Sequence, residues 1–135
     1  GVFYTVRASL PHLRRSSGTV VLVGSDAGKH ADPSLQTYGA TKWWVRGFAK
    51  NLEAREGDSG VGVALVNPGD TRTELDVDGR PLTEHPDAEA MLSPETVADE
   101  IIDVVFAAAQ PANATVSEVD VNGRDLMADT YRSLR

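Results

Sequence analysis

Apolar positions recur along the chain with two different periods. In residues 1–15, 38–56 and 93–110 they return every three or four positions, which is the period of an amphipathic helix. Residues 19–23 and 61–66 are instead uninterrupted aliphatic runs, as in strands that are buried on both faces. The pattern therefore predicts three helices and two buried strands.

A third strand is predicted over residues 115–121, where valine alternates with polar residues. Such alternation leaves one wetter face and favours a place near the edge of a sheet. Helices and strands follow each other in turn along the chain, an order typical of right-handed parallel crossovers. We therefore predict an α/β fold of three layers, in which helices flank both faces of one parallel sheet.

Two polar, irregular stretches follow the predicted buried strands, at residues 24–37 and 67–91. In open parallel sheets, ligands bind beyond the carboxyl ends of the strands, and both stretches begin there. The second stretch carries acidic residues between Asp70 and Glu89, and it is interpreted either as a substrate lid or as a mobile, solvated loop. Functional residues are therefore expected in these two stretches.

Tyr38 and Lys42 are four residues apart in a predicted helix, so their side chains share one face. A phenol is a weak acid at neutral pH, but a cation about 4–6 Å away favours its ionised form. The pair is therefore a candidate for proton transfer. The same spacing occurs by chance in many helices, so the surrounding residues decide its meaning.

Three spaced features resemble the classical short-chain dehydrogenases/reductases. Residues 18–28 are similar to that family's strand ending in a catalytic serine, which is Ser25 here. Tyr38 and Lys42 follow with the family's usual spacing, Tyr38 being 13 residues after Ser25. Residues 67–73, Asn-Pro-Gly-Asp-Thr-Arg-Thr, resemble the Pro-Gly-x-x-x-Thr turn that contacts the nicotinamide.

The resemblance implies an oxidoreductase that transfers a hydride between NAD or NADP and an alcohol or carbonyl substrate. In the family pattern, Tyr38 is the general acid/base, Lys42 favours its phenolate and contacts the nicotinamide ribose, and Ser25 hydrogen-bonds the substrate oxygen. These three are the implied catalytic residues. The implied cofactor-binding residues are Tyr38 and Lys42 together with Pro68, Gly69, Thr71 and Thr73.

The resemblance also implies a Rossmann-like fold that is incomplete in this sequence. The family's glycine-rich turn for the cofactor pyrophosphate belongs to an amino-terminal half without a counterpart here, and a family asparagine would fall before Gly1. Glycine stands at position 24, where the family more commonly has serine. We therefore expect residues 1–135 to be the carboxy-terminal part of one dehydrogenase domain, weak or inactive by itself.

Two other functions stay open. Extended relatives that epimerise or dehydrate nucleotide sugars use the same tyrosine and lysine, although the Pro-Gly turn favours the oxidoreductases. An inactive remnant could instead act only as a dimerising, partner-binding domain. Helices like those at 1–15 and 38–56 form subunit contacts in the family, which implies a homodimer or homotetramer. One of Trp43 and Trp44 is expected in the core and the other in that contact.

Composition narrows the range of partners. A net charge of −7 argues against binding to the nucleic-acid backbone. No apolar run approaches the roughly 20 residues of a membrane span. The chain contains no cysteine and shows no export signal, so we expect a cytoplasmic protein. His12, His30 and His85 lack the spacing of metal ligands, so no metal site is expected.

Overall fold

Three parallel strands lie side by side in this computed structural model, which describes residues 1–77, 79–108 and 117–123. The helices are α1 (Val2–Ser16), α2 (Gln36–Glu56) and α3 (Pro94–Ala108). The strands are β1 (Thr19–Val23), β2 (Gly62–Pro68), β3 (Asp76–Val77), β4 (Arg80–Pro81) and β5 (Glu118–Val121). The main sheet has the order β1-β2-β5 with β2 in the centre, and β3 and β4 form a small antiparallel hairpin. Within the described ranges, no helix is both long enough and apolar enough to cross a membrane.

The two faces of the main sheet bury separate cores, because side chains alternate along each strand. One core lies against α1 and α2 and contains Val6, Leu10, Leu22, Val45, Ala49, Leu52, Val61, Val63 and Leu65. The other lies against α3 and contains Ala64, Val66, Val104 and Val121. The predicted arrangement of one parallel sheet between two layers of helices is confirmed.

The ends of the elements differ from those predicted. α2 begins at Gln36, two residues before the predicted start. β2 continues through Asn67 to Pro68, because β5 pairs with it in that register. β5 covers the second half of the predicted strand over residues 115–121, and residues 115 and 116 lie outside the described part of the chain.

The prediction that one tryptophan packs in the core is wrong. Trp43 is 47% exposed and Trp44 is 50% exposed. The side of α2 that faces the sheet is occupied by Val45, Ala49 and Leu52, which follow each other at four- and three-residue steps. That stripe fills the space between helix and sheet, so both indole rings lie outside it.

The stretch that follows β2 is folded back on itself. The backbone N–H of Leu82 donates to the carbonyl of Leu75 at 3.0 Å, and the N–H of Thr83 donates to the carbonyl of Thr73 at 3.1 Å. Leu82 and Ala88 are both buried, each only 8% exposed. The interpretation of this stretch as a solvated loop is therefore wrong for Leu82 and Ala88, although Leu75 is 48% exposed.

A buried carboxylate joins the carboxyl ends of α1 and α2. Glu56 is 1% exposed, and Arg14 donates from Nε and Nη2 to its two oxygens at 2.8 and 2.6 Å. Ser59 adds a hydrogen bond at 3.0 Å. The hydrogen bonds from Arg14, and then from Ser59, lower the pKa of Glu56 from its ordinary value of 4.5 to about 2, although burial acts in the opposite direction.

Because folding lowers this pKa, the Glu56 carboxylate stabilises the protein above about pH 4.5, and its contribution is lost as the pH falls towards 2. We expect Glu56→Gln to lower the free energy of unfolding at neutral pH and to have a much smaller effect at about pH 3 or below. Urea unfolding at a series of pH values measures the difference. Glu53→Gln, which changes a charge on the same helix outside this ion pair, is the control. An equal effect of Glu56→Gln at both pH values would contradict the prediction.

Candidate active site

A cleft of about 660 Å³ lies where the carboxyl ends of β1 and β2 meet the start of α2. Open parallel sheets bind ligands in this position. The cleft is lined by every site residue that the sequence singles out, namely Ser25, Tyr38, Lys42, Pro68, Gly69, Thr71 and Thr73. The fold therefore brings three separate segments of the chain to one place.

Ser25 lies two residues beyond β1, at the start of the 3₁₀ turn Asp26–Gly28. Its Oγ accepts a hydrogen bond from the Ala27 N–H at 3.2 Å, which is a local interaction typical of serine at turns. A hydroxyl group that accepts one hydrogen bond can still donate its own hydrogen. The turn therefore holds Ser25 in place and leaves it able to donate to a ligand oxygen in the cleft.

Lys42 lies between the end of β1 and the ring of Tyr38. Its Nζ donates to the carbonyl oxygens of Val23 and Gly24 at 3.2 and 2.9 Å. The same atom is 5.5 Å from the centre of the Tyr38 ring, within the range of cation–π attraction. Gly28 lets the serine turn approach this part of α2, since a Cβ there would lie 2.9 Å from the carbonyl oxygen of Lys42.

Hydrogen bonds within the chain shape the turn after β2. The Gly69 N–H donates to the carbonyl of Val121 at 2.9 Å, so the turn is attached to β5. The Thr71 hydroxyl donates to the Gly69 carbonyl at 3.0 Å, and the Thr73 hydroxyl accepts from the Leu75 N–H at 3.4 Å. These contacts fold the turn against the cleft, whereas the role of its residues in cofactor binding stays a prediction.

Reasoning from the sequence missed much of the cleft wall. Apolar side chains from several segments line it, namely Leu35, Leu75, Leu82 and Val97. Four aspartates line it as well: Asp26, Asp32, Asp70 and Asp76. The side chain of His30 is 73% exposed and also lines the cleft, with Nε2 3.5 Å from Oδ1 of Asp26. Most of these residues belong to irregular segments that meet only in the folded chain, and the helical period that includes Val97 does not show that it faces a cleft.

A group of charged and amide side chains fills the space between α2 and the carboxyl end of the sheet. We call it the polar layer, and its members are Lys29, Arg46, Lys50, Asn67, Glu118 and Asp120. The prediction of a wetter face on β5 is wrong for Glu118, whose side chain is only 14% exposed. Burial by itself raises the pKa of Glu118, but hydrogen bonds from Arg46, Lys50 and Asn67 outweigh burial and lower this pKa to about 2.

Gly24 makes room for the amide at the centre of the polar layer. Asn67 is 1% exposed, and its Nδ2 donates to Oε1 of Glu118 at 2.9 Å and to Oδ1 of Asp120 at 3.1 Å. These bonds direct Oδ1 of Asn67 towards Gly24, where a Cβ would lie only 2.2 Å from that oxygen. A hydrogen atom fits there and a methyl group does not, which accounts for glycine at this position.

Residues 1–81 match the family described as short chain dehydrogenase. The chain belongs to the short chain dehydrogenase family. The matched residues include α1, β1, α2 and β2, and hence Ser25, Tyr38, Lys42 and the Pro-Gly turn.

Two curated relatives are each 31% identical to the chain over the aligned residues. The glycine betaine reductase ATRR of Emericella nidulans is 31% identical over 131 residues, which are 93% of this chain and 10% of the relative. An uncharacterized oxidoreductase of Staphylococcus epidermidis is 31% identical over 124 residues, which are 90% of this chain and 50% of the relative. The chain thus spans half or less of the length of these two relatives.

Solved structures of dehydrogenases also match the chain over about half of their own length. A 3-oxoacyl-[acyl-carrier protein] reductase of Brucella melitensis with bound NAD matches with a TM-score of 0.69 and 30% identity, over 90% of this chain and 46% of the reductase. An alcohol dehydrogenase of Thermococcus sibiricus complexed with 5-hydroxy-NADP matches with a TM-score of 0.73 and 22% identity, over 89% of this chain and 48% of the enzyme. At 22% identity, the likeness to the alcohol dehydrogenase supports the fold alone. The predicted Rossmann-like fold is confirmed.

Gly24→Ala is expected to destabilise the protein by about 1–3 kcal/mol, because the new methyl group overlaps the Asn67 amide. In an Asn67→Ala background the same change should have a smaller effect, so the two substitutions should be non-additive. Gly47→Ala is the control, since a Cβ there meets nothing within 4 Å and alanine favours the helix. Urea unfolding of the single and double variants measures the coupling, and additive effects would contradict the contact.

Proposed function

We propose that this chain is the carboxy-terminal part of an NAD- or NADP-dependent oxidoreductase that interconverts an alcohol and a carbonyl compound. The observation that carries the proposal is the single cleft shared by Ser25, Tyr38, Lys42 and the Pro-Gly turn. Membership of the short chain dehydrogenase family supports hydride chemistry. A preceding segment would supply the turn for the cofactor pyrophosphate, so residues 1–135 by themselves would have little or no activity.

The cleft fits the nicotinamide end of such a cofactor. Its volume of about 660 Å³ lies within the usual range for small-molecule sites. In our proposal, Tyr38 and Lys42 hold the ribose, and the nicotinamide is held by the turn residues Pro68, Gly69, Thr71 and Thr73. When bound, the nicotinamide supplies or accepts the hydride.

Tyr38 is the proposed general acid/base. Its hydroxyl donates a proton to the carbonyl oxygen during reduction and takes a proton from the alcohol during oxidation. The Lys42 ammonium group, 5.5 Å from the ring centre, stabilises the phenolate that remains when the proton leaves. Ser25 donates a hydrogen bond to the same substrate oxygen and stabilises the negative charge that develops on it.

The named activities of several relatives support this class of reaction. They include a glycine betaine reductase, an L-fucose dehydrogenase and a 3-oxoacyl-[acyl-carrier protein] reductase. Because these names differ widely, they support oxidoreduction without selecting one substrate. A cytoplasmic place of action fits a chain without cysteine.

We also propose that the protein assembles as a homodimer or homotetramer through α1 and α2. The Trp44 ring stacks on Phe48 with their centres 5.0 Å apart, and Phe3 lies edge-on to Phe48 at 6.1 Å. Phe3 is 46% exposed and Trp44 is 50% exposed. Exposed aromatic clusters of this kind are enriched in protein–protein interfaces, which supports a subunit contact on this face.

Tyr38→Phe removes only the hydroxyl group, so we expect turnover by the full-length protein to fall roughly 10²- to 10⁴-fold. The measurement is NAD- or NADP-linked absorbance with a panel of simple alcohols and ketones. Tyr4→Phe is the matched control, because Tyr4 is 71% exposed on α1 and lies outside the cleft. Turnover of Tyr38→Phe within a few-fold of the unmodified protein would contradict the proposed role. A full-length protein that neither binds nor uses a nicotinamide cofactor would support an inactive remnant.

Trp44→Asp places a charge in the exposed aromatic cluster and is expected to dissociate the assembly into monomers. Sedimentation velocity at several concentrations measures the mass. Ile102→Asp is the control: Ile102 is 50% exposed on α3, across the sheet, and its replacement should leave at least a dimer. If the mass of Trp44→Asp is unchanged and Ile102→Asp dissociates, the subunit interface lies on α3 and the proposed contact is wrong.

A further inference from the structure

The polar layer connects the three segments that form the cleft. One segment is α2, which carries Tyr38 and Lys42, and the second is the serine turn after β1. The third is the Pro-Gly turn after β2. Arg46 of α2 is linked to Asn67 through the Glu118 carboxylate. Lys29, next to the serine turn, is linked to Asn67 through the Asp120 carboxylate. Asn67 itself adjoins the Pro-Gly turn.

Three cations dock α2 on the end of the sheet. Lys42, Arg46 and Lys50 follow at four-residue steps and hence lie along one side of the helix. Lys42 binds the carbonyls at the end of β1, as described above. Arg46 donates to Oε1 of Glu118 from Nε at 2.8 Å and to Oε2 from Nη2 at 3.4 Å, and Nζ of Lys50 lies 2.9 Å from Oε2. The Glu118 carboxylate therefore sets how α2 is rotated on the sheet, and with it the position of Tyr38.

The serine turn is attached to the same layer from the other side. Lys29, the residue after the turn Asp26–Gly28, donates from Nζ to Oδ2 of Asp120. The other oxygen of Asp120 accepts from Asn67. Asn67 directly precedes Pro68, so its side-chain amide lies next to the Pro-Gly turn. The same amide bonds to Asp120, the carboxylate that Lys29 binds.

Asn67 supplies a hydrogen-bond donor between two carboxylates. Its Nδ2 bonds to two carboxylates of β5, Glu118 and Asp120, and the negative charge of each disfavours that of the other. Within the described part of the chain, Oδ1 of Asn67 is buried without a hydrogen-bond partner, so the side-chain bonds of this amide come from its Nδ2. Removing the donor from a buried side-chain network is costly. Without Asn67, the two carboxylates would lose their shared donor and move apart or draw in water.

We propose that Asn67 is a positioning residue that fixes the Tyr38–Lys42 helix, the serine turn and the Pro-Gly turn in one geometry. The inference builds on the proposed function, because it concerns the relative placement of the groups proposed to act on the substrate oxygen. Misplacement of reacting groups by as little as about 1 Å can slow catalysis on the order of 100-fold. Substitution of Asn67 should therefore lower kcat by more than the loss of folded protein explains.

The first test is steady-state kinetics of the full-length enzyme with Asn67→Leu, which keeps the size of the side chain and removes its donor. We expect kcat per folded molecule to fall roughly 10- to 100-fold, with a smaller change in KM. Glu56→Gln is the control: it removes the charge of a buried carboxylate at the carboxyl end of α2, far from the cleft, and should lower stability without changing kcat. A folded Asn67→Leu enzyme with kcat within about twofold of the unmodified one would overturn the proposal.

The second test does not depend on activity, and it uses a variant at the rim of the polar layer that should fold. Lys29→Met removes the bond to Asp120 from a side chain that is partly exposed. We expect hydrogen–deuterium exchange in residues 25–29 to speed up about tenfold or more in Lys29→Met. In Asn67→Leu the faster exchange should extend to residues 38–46. In Glu56→Gln it should be confined to the carboxyl ends of α1 and α2.

The two tests separate the positioning role from the proposed function. If the unmodified protein transfers no hydride, the proposed function fails, and hydrogen exchange alone decides the role of Asn67. Unchanged exchange at residues 25–29 in Lys29→Met would overturn the positioning role even in an active enzyme. If Asn67→Leu does not fold, the proposal stands or falls on kcat and exchange in Lys29→Met, where a loss of at least about threefold in kcat is expected.

Discussion

Burial of Glu118 beneath α2 imposes a strict condition on this fold. A carboxylate removed from water is tolerated only when charged partners and hydrogen-bond donors surround it. Arg46 and Lys50 meet this condition from the helix, and Asn67 meets it from the central strand. The helix therefore has one favourable orientation on the sheet, and the tyrosine and lysine one to two turns earlier are oriented by the same contacts.

Two kinds of contact hold the helix. Its apolar side packs through Val45, Ala49 and Leu52, contacts that tolerate small shifts because dispersion and burial have little directional preference. Two glutamates bound by arginines hold it as well: Glu118 binds Arg46 in the middle of the helix, and Glu56, at its carboxyl end, binds Arg14. Hydrogen bonds between charged groups are short and directional, so they define the orientation that the apolar core leaves open.

Local patterns were enough to predict the order of the main helices and strands and the parallel sheet, because these depend on periodicity within short segments. Ser25, Tyr38 and Lys42 were singled out by the resemblance of their spaced motifs to the short-chain dehydrogenases, and all three line the cleft. Asn67 could not be recognised as the centre of the polar layer, because its partner Glu118 is 51 positions away in the chain. The sequence likewise did not reveal that both Trp43 and Trp44 lie outside the core, since the helical period alone does not say which large side chains fit between the helix and the sheet. Pairings over such distances become visible only once the strands are in register.

The close approach between the residue after β1 and the amide at the end of β2 has a consequence for how such proteins diverge. Position 24 and position 67 cannot drift independently, because one mutation there can be accepted only after the other has altered the available space. Lineages that carry serine at the first position should therefore carry a shorter or differently turned side chain at the second, and an aligned collection of homologues would show the two columns changing in concert.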